Sequence, residues 1–127
     1  MKGMLRDSQQ WLAAQLNKHV ARHVVYQRDR DEVEVTATIG KSTYQQDDGE
    51  GTLTRAQVRD YLIDTAMLVI AGEPTLPRGG DRIRESDGDK VFIYEVMSLG
   101  SEAPWRYSDP FRLKLRIHTK LISTENF

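Results

Sequence analysis

The chain has no cysteine among its 127 residues, which excludes disulfides, thiolate nucleophiles, iron–sulfur clusters and cysteine-based zinc sites together. It has no apolar run near the roughly 20 residues that span a bilayer. Arg6 and Asp7 stand where a signal peptide would carry its apolar stretch, so a soluble, non-secreted chain without membrane partners is expected. Charge of one sign is missing too: 18 Lys and Arg face 19 Asp and Glu, a formal net charge of -1. Any electrostatic partner must then be met by a local patch, and specific nucleic-acid binding is not expected. There is no Gly-x-Ser-x-Gly elbow, no phosphate-binding glycine loop and no dinucleotide fingerprint. With no nucleophile and no acid pair singled out, neither enzyme activity nor a cofactor is expected.

What is present suits one core. The length fits a single domain over residues 1–127, and 39% hydrophobic with 29% charged residues is the balance of a folded, soluble chain. Over residues 4–23, Leu5, Leu12, Leu16 and Val20 recur at helical spacing with no Gly or Pro between them, which predicts one amino-terminal α-helix. A shorter helix capped by Asp7 or Ser8 fits as well.

The period then changes to two. Val24 and Tyr26, a charged turn at Arg28-Asp29-Arg30-Asp31, and the alternation Val33, Val35, Ala37, Ile39 predict a hairpin with one dry face. Residues 40–51 hold three Gly and the acids Asp47, Asp48 and Glu50, which predicts a turn and a mobile polar loop near 41–52. Residues 55–70 fit helix and strand equally. Arg82-Ile83-Arg84-Glu85, a turn at Asp87-Gly88 and the run Val91 to Met97 predict a second hairpin. In the last strand Leu113, Leu115, Ile117 and Leu121 share one parity and Arg112, Lys114, Arg116, His118 and Lys120 the other, predicting an apolar face inside and a cationic face outside. The fold expected is mainly β, a small antiparallel barrel or curled sandwich spanning residues 24–121, with one helix packed on it.

Candidate chemistry is sparse. His19 and His23 have helical ligand spacing, but Val20 stands where a zincin carries its Glu and His118 is the only other imidazole, so no metal site is expected. Asp47, Asp48 and Glu50 lack the alternating ligands of a calcium loop. The cationic row Arg112, Lys114, Arg116, Lys120 places charges about 6.6 Å apart along a strand. Such a row suits cross-strand acids such as Glu32 and Glu34, a protein interface, or a phosphate backbone. The stretch Glu102 to Phe111 gathers Trp105, Arg106, Tyr107, Asp109 and Phe111 with two prolines; it reads as a plug for the barrel end or as an interface, since Trp, Tyr and Arg dominate interface hot spots.

Taken in order, Gly80-Asp81-Arg82-Ile83, Asp87-Gly88, Tyr94-Glu95-Val96, Pro104 to Pro110 and Leu115-Arg116-Ile117-His118-Thr119-Lys120 resemble the head–tail joining (head-closure, or stopper) proteins of tailed bacteriophages and prophages. The resemblance runs from about Arg59 to Lys120 and implies a β-barrel core without catalytic residues or cofactors. It implies a strand at Arg59 to Ile63. It also implies a structural protein of the virion neck, assembled in the host cytoplasm, forming a ring between the portal and adaptor proteins and the tail proteins. The interface candidates are Trp105, Arg106, Tyr107, Asp109, Phe111, Arg112, Lys114, Arg116, Asp47, Asp48 and Glu50. The alternative from the residues themselves is a small barrel that binds single-stranded nucleic acid, with Tyr94 or Tyr107 as stacking platforms.

Overall fold

The computed structural model describes residues 21–47, 49 and 53–126. Strand β1 (Ala21–Arg28) and β2 (Asp31–Asp47) make the first hairpin, in register from Arg28 opposite Asp31 to Ala21 opposite Thr38. β3 (Leu53–Asp64) returns antiparallel to β2, and a 3-10 turn (Thr65–Met67) leads into the short pair β4 (Val69–Ile70) and β5 (Glu73–Pro74). β6 (Arg82–Asp87) and β7 (Lys90–Val96) form the second hairpin, whose turn holds Gly88 at φ 63, the left-handed region that glycine enters without a Cβ clash. β8 (Trp105–Tyr107) and β9 (Lys114–Asn126) complete the chain.

The order β1, β2, β3, β9, β7, β6 and back to β1 closes a six-stranded antiparallel barrel, because β3 pairs with β9 and β1 with β6. Closure removes the strand edges over the paired region. Alternate residues enter the interior: Val24, Val35, Ala37, Ile63, Ile83, Leu115 and Ile117 are buried there with Tyr26 and Tyr61. The expected barrel and both expected hairpins are present, and residues 53–64 are strand, the state that the resemblance implied for Arg59 to Ile63.

Four expectations are corrected. The helix predicted over residues 4–23 does not reach its carboxyl end, because Ala21, Arg22 and His23 pair with Thr38, Ala37 and Thr36 as the first rungs of β1. Those ladder bonds outweigh local propensity; residues 4–20 lie outside the described residues, and no α-helix occurs among the described ones. The loop predicted near 41–52 is mostly ladder, with Lys41 opposite Arg59 and Asp47 opposite Leu53. This two-stranded ribbon runs beyond the rungs that β2 shares with β1 and β3 shares with β9, so no core imposes alternation on its sequence.

Leu113, expected inside, is 66% exposed, since β9 begins one residue later and Leu113 still belongs to the preceding turn. Leu121, also expected inside, is exposed because β9 parts from β3 after Thr119 and the interior ends there, with an irregularity of register against β7 at Ile93 and Tyr94.

Candidate interface site

Two polar triads lie within the barrel. Tyr26 donates its hydroxyl to Asp81, and Arg28 Nε and Nη2 reach the same carboxylate at 3.0 and 2.7 Å. The Arg78 backbone N–H adds a bond of 3.0 Å, so Asp81, though buried, is fully engaged. Burial, reinforced by the hydrogen bond to Asp81, pushes the Tyr26 phenol well above its ordinary range, and the bond to Asp81 raises Arg28 despite its desolvation.

The second triad repeats the first with a glutamate. Tyr61 donates to Glu85 Oε1 at 2.9 Å, and Arg59 Nη2 lies 2.8 Å from both Glu85 oxygens. Arg59 Nε donates to the Tyr61 hydroxyl, and its guanidinium lies over the Tyr94 ring, 5.2 Å from the centroid. Burial pulls the Arg59 pKa down, but the hydrogen bonds that it donates to Glu85 and Tyr61 outweigh this and the net shift is upward. Tyr61 is raised by burial and then by the Glu85 charge, and Tyr94 by burial.

A third cluster sits on the outer face, at a line where Gly40, Asp60 and His118 are neighbours across β2, β3 and β9. Asp60 is fully buried. It accepts from Ser42 and from Arg116 Nη1 at 2.5 Å, and His118 Nδ1 lies 2.8 Å from its other oxygen. A Cβ at Gly40 would come within 3.2 Å of Leu62 Cδ1 and 3.4 Å of Arg116 Nη1, so the missing side chain leaves the path by which Arg116 reaches Asp60. Ser, His and Asp are also the residue types of a hydrolytic triad, but here the carboxylate is central. Ser42 donates to Asp60 and not to His118, whose Nε2 instead faces Glu102 at 3.8 Å. Among the described residues no imidazole is placed on the hydroxyl to activate it as a triad would.

The cationic row is therefore interrupted. His118 is buried, Arg116 is spent on Asp60, and Lys114 lies 3.7 Å from Asp64. Lys120 is exposed. Glu32, one of the acids expected to face the row, instead meets Arg84 at 3.4 Å. The tyrosines named as stacking platforms are covered as well: Tyr94 packs edge-on to Tyr61 beneath Arg59, and Tyr107 packs edge-on to Trp105 with the Arg112 guanidinium over its ring.

The segment from Trp105 to Lys114 divides into a plug and a projection. Trp105 and Tyr107 belong to β8, pair with Ile117 and Leu115 of β9, and pack against the core. Phe111 does not plug the barrel: it is 78% exposed. Asp109 shapes the turn between them, its carboxylate accepting from the backbone N–H groups of Phe111, Leu113 and Lys114 at 2.9 to 3.2 Å. Arg112 sits at φ 60, a left-handed conformation unusual for a residue with a Cβ. The Leu113 carbonyl accepts from the Thr65 N–H at 2.9 Å, tying this turn to the one after β3.

Asp47 ends β2 at the tip of the ribbon, while Asp48, Glu50 and His19 lie outside the described residues. His23, on β1, has its Nδ1 3.4 Å from Thr36 Oγ1. Sequence reading missed Asp60, Asp81 and Glu85. A carboxylate amid alternating apolar residues on a strand is the one signal they carry, as in Asp60 beside Tyr61 and Glu85 two residues from Ile83.

Among the described residues no three His, Asp or Glu side chains are grouped to hold a metal ion, and no helix is long and apolar enough to cross a membrane. No curated protein and no solved structure matches the chain. A family model does, one described as phage head-tail joining protein, over residues 2–126. A closed barrel with internally neutralised charges and an exposed turn accords with that match. The chain belongs to the phage head-tail joining protein family, structural proteins of the virion at the junction of head and tail rather than enzymes.

Proposed function

We propose that the protein closes the filled head and joins it to the tail by assembling as a ring on the portal complex. The observation that carries this reading is the ribbon of residues 42–47 and 53–58, which extends beyond the rungs that close the barrel. At about 3.3 Å per residue it reaches roughly 20 Å, and its first strand ends at Asp47, which Asp48 and Glu50 follow in sequence. A monomeric barrel gains no core from such an arm. A subunit that must span to a neighbour gains reach.

The complementary charge lies on the projection. Arg106 and Arg112 have no carboxylate partner among the described residues, and Lys114 has only the exposed Asp64. Acidic tip and cationic turn occupy different places on one chain, so their contact between copies is heterologous, and repeated around an axis it closes a ring. The remaining candidates divide by role: Trp105 and Tyr107 anchor the turn, Asp109 shapes it, Phe111 contacts, and Arg116 supports the adjoining face through Asp60. Charged contacts of this kind are weak singly, so the free chain is monomeric and the portal complex templates the ring.

The test is to mix the protein with portal-bearing heads and count subunits at the vertex by electron microscopy. Vertex density with ring symmetry is expected; its absence under conditions that permit tail attachment overturns the joining role.

A further inference from the structure

Of the polar row on β9, formed by Lys114, Arg116, His118 and Lys120, His118 alone is buried, at 2% exposure. Its cover is the loop of residues 97–104 between β7 and β8, and both ends of that loop bond to His118 itself. The Met97 N–H donates to the His118 carbonyl at 3.1 Å, and the His118 N–H donates to the Pro104 carbonyl at 2.9 Å. Between these points the chain reverses at Gly100, whose φ is 59, and the Glu102 N–H donates to the Leu99 carbonyl at 2.9 Å. Leu99 is buried, and the reversal brings the Glu102 carboxylate to 3.8 Å from His118 Nε2. The loop thus starts, returns and ends on one histidine.

The other ring nitrogen is fixed from inside. Asp60 Oδ2 accepts from Ser42 and Arg116, and its Oδ1 lies 2.8 Å from His118 Nδ1. A carboxylate held by a guanidinium is an acceptor, so the hydrogen of the neutral ring belongs on Nδ1 and leaves Nε2 with a lone pair. A lone pair and a carboxylate oxygen form no bond, and 3.8 Å is beyond hydrogen-bond reach. One proton on Nε2 changes this, because the nitrogen becomes a donor and Glu102 becomes its charge-assisted acceptor. Imidazole is the side chain whose charge ordinarily changes between pH 5 and 8. Its anionic neighbours are Asp60 from β3 and Glu102 from the loop. The nearby cations are Arg116 on β9, with Arg106 of β8 opposite it, and Lys120, which stands opposite Glu95 of β7; β2 contributes the uncharged Ser42.

We propose that His118 is a proton-operated latch for the 97–104 loop: with Nε2 protonated it grips Glu102 and holds the loop to the barrel, and with Nε2 bare it lets the outer part of the loop go. The backbone bonds to Met97 and Pro104 are present in both states, so the device frees residues 98–103 without opening the barrel. Trp105 and Tyr107, which follow the loop, stay paired to β9. Asp60 acts on both states alike, as the acceptor that keeps the ring turned with Nε2 toward Glu102. None of these contacts involves a second chain, so the latch works in the free protein and does not depend on ring assembly.

The test is a titration of the nitrogen-15-labelled protein from pH 8 to pH 5 by nuclear magnetic resonance, following the His118 ring nitrogens and the amide exchange of the loop together. His23, exposed on β1, serves as the internal reference. At pH 8 the His118 ring is expected with its hydrogen on Nδ1. On acidification Nε2 should gain a proton while the barrel stays folded. Exchange protection across residues 99–102, corrected for the intrinsic rate at each pH, should then rise about two- to fivefold, the range of an ion pair partly open to water. The Glu102 side chain is 64% exposed, so Glu102→Ala leaves the fold intact and should hold the protection at its pH 8 value throughout.

A ring that carries its hydrogen on Nε2 at pH 8 overturns the latch, since Glu102 then already has a donor. So does a His118 whose protonation stays constant from pH 8 to pH 5 in the folded protein. Loop protection that stays constant while the ring titrates overturns it by uncoupling the two, and a rise in protection that persists in the Glu102→Ala variant overturns it by removing Glu102 from the device.

Discussion

Tyr61 and Glu85 meet across the barrel, the phenol of β3 donating to the carboxylate of β6 at 2.9 Å, although the two strands are not neighbours in the sheet. Arg59 closes on both oxygens of that carboxylate. The same device recurs where Tyr26 and Arg28 of β1 converge on Asp81. Besides Asp60, a small barrel thus carries two buried carboxylates, each matched by one arginine and one tyrosine. Breaking either match leaves a charge without its partner in a poorly solvated site.

Replacing Glu85 with Gln should therefore destabilise the protein by about 3 kcal/mol, since Arg59 keeps its charge and loses its counterion. The side chain of Arg59 is 29% exposed, so water recovers part of the loss. A urea melt measures the effect, and an unchanged midpoint would show that the pair contributes nothing.

Asp60→Asn should cost a similar amount, about 3 kcal/mol, because Arg116 and His118 both lose a charged acceptor at a fully buried site. Gly40→Ala should destabilise by about 1 kcal/mol or more through the crowding of Leu62 and Arg116. If the two substitutions act on the same contact, the double variant should lose less than the sum of the single losses.

Leu115→Ala should cost about 2 to 5 kcal/mol as a buried large-to-small change, whereas Leu113→Ala should cost less than about 0.5 kcal/mol as an exposed one. Equal effects would contradict the burial of Leu115 and the exposure of Leu113.

Alkaline pH should unfold the protein. Tyr26 and Tyr61 have folded pKa values raised above the ordinary 10.0. For a raised pKa the folded state binds its proton more tightly than the unfolded state. The stabilisation is then complete below pH 10 and is lost progressively as the pH rises above it. Absorbance at 295 nm should show these two phenols ionising together with loss of the barrel circular dichroism. Their ionisation in a protein that stays folded would contradict the burial.

Much of the barrel was legible in the sequence. Val33, Val35, Ala37 and Ile39, or Leu115 and Ile117, alternate because one face of each strand meets a common interior, and that requirement is local and periodic. The turn at Asp87-Gly88 was legible for the same kind of reason, since a left-handed residue is a local demand. The aromatic and arginine-rich segment was visible as unusual, although its division into an anchoring Trp105 and a projecting Phe111 was not. Absence of cysteine and of catalytic motifs limited the chemistry before any fold was known.

Only the tertiary structure decided the rest. Ala21 to His23 continue a helical pattern, yet they are strand because Thr36 to Thr38 of β2 supply their ladder partners. Residues 41–47 show no alternation, since a ribbon beyond the barrel has no interior to alternate against. Leu113 and Leu121 share the parity of the buried residues but lie beyond the part of β9 that is enclosed, and parity cannot tell where enclosure stops. Asp60, Asp81 and Glu85 find their arginine partners at separations of 56, 53 and 26 residues, a distance over which no local pattern speaks. Pairing of that range depends on closure of the barrel, and closure is a property of six strands at once.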